Sequence, residues 1–167
     1  MLQNKERSTH SLCALAAHLL LEKQWFLATA ESCTGGLVAA ACTELAGSSA
    51  WFERGFVSYS NAVKTELLGV SAALIEQHGA VSEPVARAMA AGAVAHSHAQ
   101  VSLAVTGVAG PTGGSPSKPV GTVCFAWSVA GVLSSELQHF AGDRAAVRQA
   151  TVLHALGRLV ELLAAPR

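Results

Sequence analysis

Apolar residues recur with a helical period near the start of the chain. Leu12, Leu15, Ala16, Leu19 and Leu20 fall at i, i+3, i+4, i+7 and i+8, which predicts a helix beginning between residues 8 and 11 with these side chains on its buried face. Residues 25–30 are apolar and rich in β-formers, then break at Glu31-Ser32-Cys33-Thr34-Gly35-Gly36 before the apolar stretch 37–46, so the pattern reads strand, loop, helix. A second strand is predicted over 52–60. Asn61 is placed to cap a short helix that carries Val63, Leu67 and Leu68 and stops at Gly69, and a further helical turn follows over 71–77. Ser82, with Glu83 and Pro84 behind it, opens a long Ala-rich helix to about residue 98. Residues 101–106 form a buried strand that runs into the Gly-rich stretch 107–116. Two more strands, 120–129 and 132–140, flank the tight hairpin signal Ala130-Gly131. Asp143 caps the last helix, whose apolar stripe is Val147, Leu153, Leu156, Val160 and Leu163.

Strands alternating with helices and ending in a hairpin predict a three-layer α/β/α fold, with a mixed and mainly parallel sheet covered on both faces. Ligands of such sheets bind beyond the carboxyl ends of the strands. The loops after residues 30, 60 and 106 all follow strands and, if those strands are parallel, meet at one edge. Neither a repeat nor a linker divides the sequence, so one domain over residues 1–167 is expected.

Composition narrows the partners. Eleven Lys plus Arg balance eleven Asp plus Glu, so no nucleic-acid footprint is visible. At 167 residues folding buries roughly 70% of the unfolded surface, enough for a core without metal or disulfide staples. Charged residues are only 13% of the chain and hydrophobic ones 51%, which excludes disorder and points either to an oligomer interface or to an Ala/Ser-rich solvent face. The four cysteines show no ligand or disulfide spacing, which fits a reducing cytoplasm. The apolar run 12–21 follows Lys5 and Arg7, but His18 interrupts it and no small-residue cleavage site follows, so neither export nor a membrane partner is expected.

Three groups of residues carry candidate chemistry. Gly35 and Gly36 allow a tight turn into a helix start whose N–H groups suit a phosphate, carboxylate or oxyanion, while Ser32 and Thr34 serve equally as ordinary caps. Ser32 gains interest from Lys64, because a desolvated lysine can act as the base a serine nucleophile needs. Read alone, Lys64 is better explained as a solvated helix residue. Cys33 is a rival nucleophile at the same helix start, and Glu31 either orients Lys64 or forms a salt bridge. Arg144 and Arg148 lie at i and i+4 in the first turns of the last helix, the end where positive charge is disfavoured. A bound anion explains them, and so does a local pair with Asp143. His96 and His98, at i and i+2, make a poor metal pair, and no metal site is expected.

Longer strings then carry a resemblance. Thr29-Ala30-Glu31-Ser32-Cys33-Thr34-Gly35-Gly36, Ala46-Gly47-Ser48-Ser49-Ala50-Trp51-Phe52-Glu53-Arg54-Gly55-Phe56-Val57, Tyr59-Ser60-Asn61 with Lys64, and His78-Gly79-Ala80-Val81-Ser82-Glu83-Pro84 resemble the CinA C-terminal domain family. Thr106-Gly107-Val108-Ala109-Gly110-Pro111 with Gly113-Gly114, Lys118-Pro119-Val120-Gly121-Thr122-Val123, and Gly142-Asp143-Arg144 with Arg148 follow in the family's order. The resemblance runs from about residue 9 to 163.

It implies a metal-free and cofactor-free nicotinamide-nucleotide amidase of pyridine-nucleotide salvage, in the stand-alone form and as a homodimer. The family's catalytic serine and lysine match Ser32 and Lys64. In the mechanism so implied, the substrate is nicotinamide mononucleotide. Thr34, Gly35 and Gly36, or Thr106, Gly107 and Gly110, surround the developing oxyanion. Tyr59 bonds Lys64 or stacks on the pyridinium, Asn61 contacts substrate, and Arg144 with Arg148 clamps the phosphate. One departure is Thr112, where an Asp often follows the proline in relatives. The competing expectation is a non-catalytic nucleotide-binding module linked to competence or DNA damage, after which some family proteins are named.

Overall fold

Helix boundaries follow local capping chemistry in the computed structural model, which describes residues 8–166. Helix α1 (Thr9–Lys23) starts where the Ser8 hydroxyl accepts from the Ser11 amide, and α3 (Asn61–Leu68) starts where the Ser60 hydroxyl accepts from the Val63 amide. Ser60 therefore takes the capping role expected of Asn61, which is the first helical residue. Gly69 ends α3 in the left-handed conformation. Helix α2 (Leu37–Thr43) stops earlier than the apolar stretch suggests, and a single 3₁₀ turn at Ser48–Ala50 leads into the next strand. Helices α4 (Ala72–His78), α5 (Glu83–Ala95) and α6 (Arg144–Ala164) are capped by Ser71, Ser82 and Asp143. The carbonyl of His78 at the end of α4 accepts from Lys118 Nζ at 2.8 Å, a cation at the helix's negative end.

Strands β1 (Leu27–Glu31), β2 (Phe52–Val57), β3 (Val101–Gly107), β4 (Thr122–Val129) and β5 (Val132–His139) form one sheet in the order β2-β1-β3-β4-β5. β1 pairs in parallel with β2 and β3, whereas β4 is antiparallel to both its neighbours, so only β4 runs against the rest. The β4–β5 turn has Ala130 at φ +46° and Gly131 at φ +86°, the doubly positive backbone of a two-residue hairpin.

The two faces differ in side-chain size. Leu27, Leu103, Val105, Phe125 and Trp127 point towards α1, α2 and α6, and full burial of an aliphatic or Phe side chain is worth about 1.5–3 kcal/mol. The Trp127 indole donates to the Ala155 carbonyl at 3.1 Å, which fixes α6 on the sheet. On the other face Ala28, Ala30, Ala104 and Ala126 meet Ala86, Met89, Ala90 and Ala93 of α5. Small residues on both sides let the Ser102 hydroxyl reach the Ala90 carbonyl at 2.7 Å. Helix α3 crosses α5 so closely that a Cβ on Gly92 would lie 2.0 Å from the Leu68 carbonyl oxygen.

Two expected stripes are shifted. On α1, Leu15 is exposed, while Cys13 and Ala17 are buried together with Leu12, Ala16 and Leu20. The helix packs on α6 and α2 at once, so small side chains turn inward. On α6, Val152 and Leu159 are buried and Leu153 and Val160 sit at the margin of the core, because α6 is covered by α1 as well as the sheet. Among the described residues no helix is long and apolar enough to cross a membrane.

Candidate active site

Parallel pairing sends the ends of β1, β2 and β3 to one edge of the sheet, as the sequence pattern predicts. The Ser32 amide donates to the Val105 carbonyl and the Ser58 amide to the Glu31 carbonyl, so sheet pairing continues past the strands and holds both loops in register. Helix α3 leaves the second loop with Lys64 on its inner side. Lys64 is 1% exposed, which removes the reading of a solvated lysine. Its Nζ lies 3.1 Å from Ser32 Oγ, 3.0 Å from the Ser58 carbonyl oxygen and 3.4 Å from that of Tyr59. Among the described residues it forms no ion pair. Burial holds its pKa below the ordinary lysine value, with a smaller opposing effect from Cys33.

Cys33 faces the opposite outcome. Burial pushes its thiol up to about 11, leaving on the order of one thiolate in ten thousand at pH 7. Among the described residues Glu31 forms an ion pair with neither Lys64 nor another cation. Its carboxylate accepts from the Thr34 hydroxyl at 2.7 Å and from the amides of Val38 and Ala39 at 2.8 and 3.0 Å. Glu31 thus caps α2, whose own cap position is Gly36 and offers no side chain.

A cleft of about 300 Å³ opens over Ser32 and Lys64. Of the residues singled out from sequence, Tyr59, Asn61, Thr106, Gly107, Gly110 and Arg144 line it together with this pair. Thr34, Gly35, Gly36 and Arg148 do not. The Thr106 hydroxyl donates to the Ala80 carbonyl at 2.9 Å, which ties the end of β3 to the loop before α5. The two arginines of α6 border a second cleft of about 620 Å³ together with Pro111 and Asp143, but they take different partners. Arg144 donates to the Gly110 carbonyl at 2.8 Å and to Tyr59 Oη at 3.0 Å, across the cleft rim. Arg148 donates to the carbonyls of Cys33 and Thr34, both at 3.1 Å. Neither pairs with Asp143, which instead accepts from the Ala146 amide. Thr112 and Gly113 line the cleft, as do Ala80 and Val81, to which sequence reasoning assigned no role. Ala80 and Val81 lie inside the His78–Pro84 string, so the string itself was the available signal. The carbonyls of Ser58 and Tyr59 had none.

Residues 9–163 match the CinA C-terminal domain. The chain belongs to that family. Relatives named as amidohydrolases are similar along most of both chains. The nicotinamide-nucleotide amidohydrolase PncC of Enterobacter agglomerans is 53% identical over 86% of this chain and 88% of its own. That of Pseudomonas putida is 58% identical over 80% and 84%. The crystal structure of a competence-damaged protein (CinA) superfamily protein from Escherichia coli superposes with a TM-score of 0.92 at 38% identity, covering 97% of this chain and 94% of that one. The mixed, mainly parallel sheet between helical layers is therefore the family's fold.

Proposed function

We propose that this protein is a nicotinamide-nucleotide amidase that hydrolyses the carboxamide of nicotinamide mononucleotide to nicotinate mononucleotide and ammonia through a Ser32–Lys64 dyad, within pyridine-nucleotide salvage. The names of the relatives support the reaction. The observation that carries the dyad is the buried Lys64 amine 3.1 Å from Ser32 Oγ. A neutral lysine has two N–H donors and one lone pair. The Ser58 and Tyr59 carbonyls take the two hydrogens, which leaves the lone pair for the Ser32 hydroxyl.

The chemistry follows from that arrangement. Ser32 Oγ attacks the carboxamide carbon as its proton passes to Lys64. The resulting ammonium returns the proton to the departing nitrogen, ammonia leaves, and an ester remains on Ser32. Water then attacks the ester, with Lys64 again accepting a proton and returning it to Ser32 Oγ as the acid is released. Among the described residues no backbone carbonyl accepts from the amides of Cys33 or Thr34, and these are the donors we assign to the oxyanion. The Gly35 and Leu37 amides are engaged within the turn, and the Val108 amide is engaged with Thr122. Arg144 on the cleft rim is assigned to the phosphate and Tyr59 to the pyridinium face. We assign the enzyme to the cytoplasm as a homodimer, which the sparse charge supports.

The test is ammonia release by the purified protein from nicotinamide mononucleotide, with free nicotinamide as the control and nicotinate mononucleotide quantified alongside. One equivalent of each product is expected from the nucleotide. A folded protein that binds the nucleotide and releases no ammonia is a binding module instead.

A further inference from the structure

Residues 32–35 form a tight turn closed by the Gly35 amide on the Ser32 carbonyl, and its central peptide joins Cys33 to Thr34. In such a turn the central peptide has the most freedom to flip, which exchanges the directions of its C=O and N–H. Here the flip is blocked from outside. Arg148 donates through Nε to the Cys33 carbonyl and through Nη2 to the Thr34 carbonyl, and a Cβ on Gly35 would lie 3.7 Å from that Nη2, so the guanidinium lies along the turn. The turn's inner side is held by the Glu31 carboxylate on the Thr34 hydroxyl.

A trans peptide carries its C=O and N–H in opposite directions. Fixing the Cys33 carbonyl on Arg148 therefore aims the Thr34 N–H away from the Arg148 guanidinium. Ser32 and Cys33 line the cleft and Arg148 does not, while the Thr34 side chain is held on Glu31, so it is the backbone N–H of Thr34, on the face of the turn away from the guanidinium, that is turned to the side where the Ser32 oxygen reacts. We infer that Arg148 is a positioning residue, which locks the Cys33–Thr34 peptide so that its N–H serves the oxyanion, and is not a ligand of the substrate's phosphate. This rests on the amidase reading above. The two roles separate in kinetics. A phosphate ligand contributes equally to ground and transition states and appears in KM, whereas an oxyanion donor acts mainly in the transition state and appears in kcat.

The experiment compares Arg148→Ala, Arg148→Lys and wild type on nicotinamide mononucleotide, with and without added guanidinium chloride at non-denaturing concentration. Folded fraction is measured by circular dichroism. Loss of a single oxyanion donor costs about 100- to 1000-fold in kcat, and partial misalignment about a tenth of that. Arg148→Ala should thus lose about 10- to 100-fold in kcat per folded molecule with KM changed by no more than about twofold. Guanidinium should restore part of the loss in Arg148→Ala and none in wild type. Arg148→Lys should fall between, since an ammonium lacks the planar fork that spans both carbonyls, and it gives the same kcat and KM comparison if the alanine variant does not fold. A raised KM with kcat preserved, or a loss that only tracks the folded fraction, overturns the inference. Absence of ammonia release by wild type overturns the amidase reading itself.

Discussion

Replacing Lys64 by Met keeps the aliphatic stem and removes the amine that faces Ser32. Three contacts disappear, to Ser32 Oγ and to the carbonyls of Ser58 and Tyr59. A buried carbonyl left without a donor costs about 1–3 kcal/mol. Against this, an ionisable amine is no longer held out of water, which returns a penalty of similar size. The net change should stay within about 2 kcal/mol, or about 4–8 °C in Tm for a protein of this size. Activity should respond on a different scale, because a positioned base contributes about 100- to 10,000-fold. Lys64→Met should lower kcat for ammonia release by at least about 1000-fold while remaining folded.

The pH dependence follows from the same burial. Lys64 acts as a base only when neutral, so kcat/KM should rise about tenfold per pH unit on the acid side and level off below the ordinary lysine value of 10.5. Stability has a matching sign. The folded pKa is lowered, so between it and 10.5 the unfolded chain binds more protons than the folded one, and wild-type stability should gain from Lys64 as pH rises through that window. Lys64→Met should lack that gain. The assay is ammonia release across pH 6–10 beside thermal melts of both proteins at each pH. More than about a tenth of wild-type kcat in the variant, or a wild-type rate that falls with rising pH over the acid limb, would refute a neutral lysine base.

Ser32→Ala should abolish ammonia release while Cys33→Ala keeps most of it, since the Cys33 thiol is pushed up to about 11 and is 6% exposed; the reverse pattern in the same assay would make Cys33 the nucleophile. Arg144→Gln should raise KM for nicotinamide mononucleotide about tenfold or more with a smaller effect on kcat, because charge-assisted contacts remote from the carboxamide are made in both states. Unchanged kinetics would return Arg144 to a strut between Gly110 and Tyr59. Gly92→Ala should destabilise by about 1–3 kcal/mol in chemical denaturation and lower kcat, because the new methyl would sit 2.0 Å from the Leu68 carbonyl oxygen and displace the helix that carries Lys64. A variant as stable and as active as wild type would contradict the close crossing of α3 and α5.

Several features were decided by local sequence, because the forces behind them act over a few residues. Ser82 and Asp143 cap their helices through their own side chains, Ala130-Gly131 turns the hairpin by backbone conformation alone, and the alternation of strand and helix orders the sheet so that three loops meet at one edge. The motif strings identified the family and drew attention to Ser32 and Lys64 as the pair we propose for the chemistry. What the sequence left open were choices made by contacts distant along the chain. Lys64 reads as a solvated helix residue until α3 is pressed onto α5 and the loop after β2 covers its amine. Glu31 has cationic candidates by sequence, yet it finds backbone amides of α2, because Gly36 leaves that helix uncapped. Arg144 and Arg148 occupy neighbouring positions on one helix face and border a common cleft, yet one reaches Tyr59 and the other the carbonyls of the Ser32 loop. Their partners are carbonyls 34, 114 and 115 positions away and a tyrosine 85 positions away. Backbone carbonyls are present at every residue and leave no mark in a sequence, so only the packed structure could tell which of them a long, flexible side chain would reach.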